Sequence, residues 1–218
     1  MRPLLHLLIV VLLTFPALTR ADDSDLFQRV ADRHGISVEL LRSIAQMESG
    51  MHPWAVNINW EGFRPHSEWE ALELIRNVRK RPWLLRVYYG DDSQRMFFSS
   101  GQEAQQALQA LLARAELLDT GKPHQWEIRK LDVRSVDIGL MQINWKFHGR
   151  HFDSMAALFE PDANIDYAAR HLKALLEEHG DLEQAVAHYH SNTPEFQARY
   201  LQAFRTIYQK QRAVDGSG

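Results

Sequence analysis

No cysteine occurs among the 218 residues. That excludes disulfide bonds, thiol catalysis and any cysteine-bound metal. No basic cluster stands out, and 25 Lys and Arg face 28 acidic residues. The electrostatic footprint of a nucleic-acid partner is missing, so none is expected. No HExxH pattern occurs among the eleven histidines, and His188 and His190 lie two apart, so on a helix they diverge. Neither a metal site nor a cofactor is expected. Internal repeats, low-complexity tracts and heptad runs are also lacking. The apolar run over 4–13, broken only by His6, is too short for a retained membrane span.

That end of the chain instead reads as a processing signal. Arg2 precedes the apolar run, Pro16 breaks it, and Thr19 and Ala21 supply small residues before a cut. A secretory signal peptide over 1–21 and a periplasmic location are expected, with an uncleaved anchor as the other reading. Loss of Arg2 and Arg20 leaves 23 basic against 28 acidic residues. Residues 22–213 then form one domain, about 190 residues, large enough for a real core; 214–218, "VDGSG", is a tail.

The mature sequence reads as mainly α. Ser24 is placed to cap a helix over 25–34, and Ser37 to cap "VELLRSIAQMES", with Gly50 just past its end. Ser67-x-x-Glu70 is a capping box before "EWEALELIRNVRK", stopped by Pro82. Pro161-Asp162 opens a helix with a 3.6-period stripe through Leu176, closed by Gly180. Asp181 opens a short helix to about Tyr189, and Thr193-Pro194-Glu195 opens one to about Lys210. Two β-prone runs over 84–100, separated by Gly-Asp-Asp-Ser, predict a hairpin, and a helix over 102–119 follows.

One residue breaks its own pattern. Leu41, Ile44 and Ala45 make an apolar helical stripe, and Glu48 falls on it. A carboxyl there faces the core or a cleft. Burial and the negative end of the helix both disfavour a charged carboxylate, so a glutamic acid that holds its proton is expected. That is the requirement for a general acid. The plainer alternative is a last-turn glutamate turned out to solvent or paired with an arginine.

"VDIGLMQINW", 136–145, is apolar yet carries Asp137, Gln142 and Asn144 around Gly139. The amides suit sugar hydroxyl and N-acetyl groups, and Trp145 and Phe147 offer rings for stacking. On these residues alone, a buried helix with two satisfied amides is the favoured reading. In "AVAHYHS", 185–191, Tyr189 shares a helical face with Ala185 and Val186.

Taken together, Glu48-Ser49, Gly139-Leu140-Met141-Gln142 and Ala187-His188-Tyr189-His190-Ser191 resemble, in that order, the motifs of lytic transglycosylases of the soluble-lytic-transglycosylase type. The resemblance covers about 35–56 and 135–205. It implies a lysozyme-like helical domain. It implies cleavage of the β-1,4 bond between N-acetylmuramic acid and N-acetylglucosamine in peptidoglycan, without water, leaving 1,6-anhydro ends. By that resemblance Glu48 is the acid and then the base, and Ser49, Met141, Gln142, Asn144 and Tyr189 contact or orient the sugar. One carboxylate suffices for this chemistry, because an intramolecular hydroxyl replaces both water and its base. Asp137 is the one nearby second acid, read here as structural, as in a helix cap.

Two features depart from the usual pattern. His190 and Ser191 stand where Asn and a variable residue are usual, and the Gly is missing. Glu48 and Gly139 are also 91 positions apart, so an insertion is expected at about 60–134. Both features resemble members encoded with conjugative elements and type IV secretion systems, so channel subunits join peptidoglycan strands as expected partners of a monomer. Trp54, Trp60, Trp69 and Trp83 are expected to be core anchors. The alternatives are a hydrolytic muramidase using Asp137 and a non-catalytic glycan-binding assembly protein.

Overall fold

The computed structural model describes residues 21–117 and 121–215. Most of the expected signal peptide, 1–20, and the end of the expected tail, 216–218, lie outside the described residues. The described chain is mainly helical, a lysozyme-like arrangement of eight α-helices with two small antiparallel sheets. The helices are α1 (Ala21–His34), α2 (Val38–Glu48), α3 (Glu68–Lys80), α4 (Gly101–Leu117), α5 (Trp145–His148), α6 (Pro161–His179), α7 (Leu182–His190) and α8 (Pro194–Asp215).

Their ends follow from capping chemistry. The Ser37 hydroxyl accepts from Leu40 N at 3.1 Å, that of Ser67 from Glu70 N at 3.2 Å, and the Asp181 carboxylate from Gln184 N at 2.8 Å. Pro161 sits in the first turn of α6, and Gly180 closes it at φ +67°. Helix α1 begins at Ala21, so Ser24 lies within it rather than capping it. Helix α8 runs on to Asp215, beyond Lys210.

The first sheet has the order β2-β1-β6-β7, made from β1 (Val56–Ile58), β2 (Glu61–Phe63), β6 (Val136–Ile138) and β7 (Ile143–Asn144). The second has the order β4-β3-β5, made from β3 (Trp83–Tyr89), β4 (Asp92–Phe98) and β5 (Gln125–Lys130). The β3–β4 hairpin turns on Gly90-Asp91, with Gly90 at φ +59°. Its third strand, β5, has no counterpart in the sequence reading. One face of this sheet buries Leu85 and Val87 against Ala104 and Leu108 of α4. The opposite face meets the main body, where Leu84 joins the principal core. That core packs Phe27 and Val30 of α1, Leu41 and Ile44 of α2, Ile165 and Leu172 of α6, and Phe204 of α8.

Two expectations need correction. The segment 136–145 is a strand, a turn and a strand, not a buried helix. Trp60 and Trp69 are not core anchors: both are strongly exposed, whereas Trp54 packs against the core.

Candidate active site

Glu48 is the last residue of α2, one turn beyond the fully buried Ile44 and Ala45. Its side chain is 14 % exposed. Among the described residues the buried Oε1 has no partner at ordinary hydrogen-bond geometry, nor has the hydroxyl of Tyr200, which interacts with Glu48 more loosely. Buried polar atoms are nearly always satisfied, so an unsatisfied carboxylate oxygen here makes Glu48 a candidate functional group. His190 brings Nδ1 to 3.6 Å from that oxygen and stacks its ring on Tyr200, centroids 4.1 Å apart. Burial, reinforced by the charge of Glu48, holds the Tyr200 phenol well above its ordinary value. Tyr200 therefore stays a neutral hydroxyl facing the carboxylate.

Tyr189 closes the second side. Its hydroxyl donates to the Met141 carbonyl at 2.8 Å, tying α7 to the turn between β6 and β7. Burial and then Glu48's charge push this phenol up as well. The turn itself is held from behind. Asn164 of α6, buried, accepts from Met141 N at 2.8 Å and donates to the carbonyls of Leu158 at 2.8 Å and Ile138 at 3.0 Å. Gly139 sits at φ +81°, and a Cβ there would lie 2.6 Å from Asn164 Nδ2 and 2.7 Å from the Leu158 carbonyl. Only glycine fits that close approach. Gln142, at φ +47°, donates through Nε2 to the carbonyls of Gly139 at 2.8 Å and Ala55 at 3.2 Å.

Asp137 forms the floor. It lies on β6, opposite Asn57 of β1 and Asn144 of β7, and accepts from Asn144 Nδ2 at 2.7 Å. It caps no helix; Asn144 does that for α5, accepting from Lys146 N at 3.0 Å. Burial raises the Asp137 carboxyl to about 6, with Glu48's charge adding to the rise and the Asn144 bond and His190 opposing it. Two acidic groups thus feel each other across one site.

Glu48, Asp137, Tyr189, His190 and Tyr200 converge, while the other residues marked in the sequence stand behind them. Ser49 is buried, its hydroxyl donating to Ala45 O and accepting from His52 N, both at 3.1 Å. The Met141 side chain is wholly in the core. Of the two aromatics read as stacking rings, Phe147 is exposed and Trp145 packs partly into the core. The sequence reading missed Tyr200 and Asn164. Tyr200 is hidden in an aromatic stripe with Phe204 and Tyr208, whereas Asn164 left a signal, a polar residue one helical turn before the buried Ala168.

Residues 107–207 match the sequence model of the transglycosylase SLT domain. Members of that family are lytic transglycosylases, which are enzymes, and the match supports such activity on peptidoglycan. The matched stretch holds the Gly139–Gln142 turn, Asn164, Tyr189, His190 and Tyr200; Glu48 lies before it and joins these residues through the fold. No curated protein and no solved structure matches the chain. Among the described residues no group of three or more His, Asp or Glu is arranged to hold a metal ion, and no helix is long and apolar enough to cross a membrane.

Proposed function

We propose that Glu48 is the acid and base of a lytic transglycosylase that cuts the β-1,4 bond between N-acetylmuramic acid and N-acetylglucosamine. The observation that carries this is its orphaned, buried Oε1, set among Tyr189, His190 and Tyr200 against the SLT-domain turn. The Glu48 carboxyl gives its proton to the leaving glycosidic oxygen as the C1–O bond breaks. The resulting carboxylate takes the proton of the muramoyl 6-hydroxyl as O6 bonds to C1. The product is a 1,6-anhydro ring, Glu48 is reprotonated, and no water is consumed. The remaining N–H of Asn144 and the Oε1 of Gln142 hydrogen-bond the sugar. Ser49, Met141 and Tyr189 fix the backbone around it.

Mass spectrometry of digested cell wall tests the proposal. Wild type gives anhydro-muropeptides, and Glu48→Gln, a near-isosteric change, folds but gives none. Undiminished anhydro product from Glu48→Gln sinks the assignment. Asp137 supports a second reading, since a second acidic group near enough to feel the charge of Glu48 is what water activation requires. Reducing ends in place of anhydro ends identify that hydrolytic chemistry.

We further propose that the enzyme is exported to the periplasm, on the strength of the 1–21 segment, and opens the wall locally for a conjugation or type IV secretion channel. The long segment between Glu48 and the SLT turn supports the latter reading, together with His190-Ser191 in the third motif. Fractionation of cells, and cross-linking through the β3–β5 sheet, check the two points.

A further inference from the structure

We propose that Trp60, backed by Phe196, is a sugar-stacking subsite that receives a pyranose of the glycan strand away from the bond being cut. The inference rests on the peptidoglycan reading above and adds a residue to it.

The hairpin β1–β2 turns on two residues, Asn59 and Trp60, with Ile58 facing Glu61. Both turn residues are left-handed, at φ +50° and +68°. This is the pattern of a turn that favours Asn followed by Gly. Asn59 suits its place. Trp60 does not: a bulky side chain at positive φ is strained, and glycine would relieve it. The same tryptophan is 80 % exposed. Folding therefore gains neither backbone comfort nor core burial from it, and a residue kept against both is best sought a role in binding.

The turn is also immobilised from outside itself. Trp60 N donates to Asn57 Oδ1, Asn59 Oδ1 accepts from Asp132 N, and the Asn59 carbonyl accepts from Arg129 Nη1, all at 2.9 Å. With the backbone under the ring fixed, less freedom is lost when a ligand arrives. Its one ring neighbour among the described residues is Phe196, centroids 5.8 Å apart and planes tilted by 56°. The pair offers an aromatic corner rather than a filled core.

Position selects the occupant. Trp60 follows Asn57, the residue directly opposite Asp137, on the strand that floors the site. Phe196 precedes Tyr200 by four residues on α8, the same helical face and about 6 Å along the axis. The aromatic corner thus lies three residues beyond Asn57 of the floor on one side and one turn of α8 beyond Tyr200 on the other. A glycan strand lying against Glu48 and running on past Asp137 and Tyr200 meets this corner next. The apolar face of a pyranose stacks on an indole, whose N–H is left for a hydroxyl or N-acetyl oxygen.

The experiment uses the full chain in a Glu48→Gln background, so that strands bind without turnover. Affinity for peptide-free peptidoglycan glycan strands is measured by calorimetry with Trp60 intact, with Trp60→Gly and with Trp60→Phe, alongside thermal unfolding of each. Trp60→Gly keeps or raises the melting temperature, because glycine suits the turn, and weakens strand binding about tenfold or more. Trp60→Phe restores most of the affinity. Equal affinity for Trp60→Gly and its parent overturns the subsite and leaves the corner to a protein partner; absence of strand binding in the parent overturns it too. Failure of the catalytic reading is a separate result: wild type then yields no anhydro-muropeptides while the Trp60 dependence of strand binding persists.

Discussion

Asn164 is the residue whose loss the active-site turn should feel most. It is 1 % exposed, and its amide serves three backbone groups on two segments, Met141 N, Ile138 O and Leu158 O. Truncation by Asn164→Ala orphans a buried N–H, at about 1–3 kcal/mol, and removes one bond from each of two carbonyls that retain a second lone pair, at about 0.5–1 kcal/mol each. The sum is about 3 kcal/mol, which for a domain of this size lowers the melting temperature by about 6–12 °C. Asn164→Asp should be no better. An aspartate still accepts from Met141 N, but a carboxylate cannot donate and sets negative charge against two carbonyl oxygens. Activity well below the melting temperature should also fall, by roughly tenfold or more, because the Met141 carbonyl that positions Tyr189 is no longer fixed. Calorimetric unfolding and muropeptide release measure the two effects. An Asn164→Ala variant melting within 2 °C of wild type refutes the reasoning, since three buried bonds cannot vanish at no cost.

Two further predictions concern charge. The Asp137 carboxyl sits at about 6 in the folded chain, above its ordinary value, so the stability it contributes is full below about pH 4 and lost as pH rises through 6. Asp137→Asn should therefore be more stable than wild type at pH 8, by on the order of 2 kcal/mol, with the difference closing towards pH 4 in a pH series of thermal melts. Burial holds His52, His148 and His171 below the usual imidazole value, His148 at about 4, and works in the opposite sense: their contribution is present above about pH 6.5 and lost below it in both proteins. Glu61, itself 1 % exposed, gathers Arg86, Arg95 (2.5 Å) and Arg129 (2.7 Å). Glu61→Gln strips the guanidiniums of their counter-charge, which should cost about 3–5 kcal/mol and open 83–130 to limited proteolysis before the helical body unfolds.

The helices were legible because their caps and stripes are local. Ser37, Ser67, Asp181 and Gly180 each act within a few residues of themselves. The first sheet was not, because strands of two or three residues are too short for alternation to register. The segment 136–145 illustrates the ambiguity: Val136, Ile138 and Ile143 are buried by strand pairing, but the same apolar residues fit a helix on paper. Glu48 stood out in the sequence because a carboxylate on an apolar stripe is a contradiction visible in one dimension. Tyr200 could not, since a tyrosine on an aromatic stripe contradicts nothing until Glu48 is placed beside it. Trp60 misled for a related reason: Asn-Trp carries no turn signal of the kind Asn-Gly does, so an exposed hairpin tip read as core.

The distance along the chain between Glu48 and the rest of its site has a simple resolution. Strand β1 leaves just after Glu48 and β6 returns just before the Gly139–Gln142 turn, and the two are antiparallel neighbours with Ile58 facing Val136. The 77 residues between them therefore begin and end at one place on the sheet, in a register fixed by backbone pairing. Closing such a loop costs free energy that grows only with the logarithm of its length, so a doubling adds about 0.6 kcal/mol. The segment can lengthen, acquire the β3–β5 sheet with its own small core, and dock by Glu61, without moving Asp137 relative to Glu48. The match to the transglycosylase SLT model begins at 107, within this segment, so Glu48 lies outside it. The sheet pairing does not, because it is indifferent to how far the chain travels between the two strands.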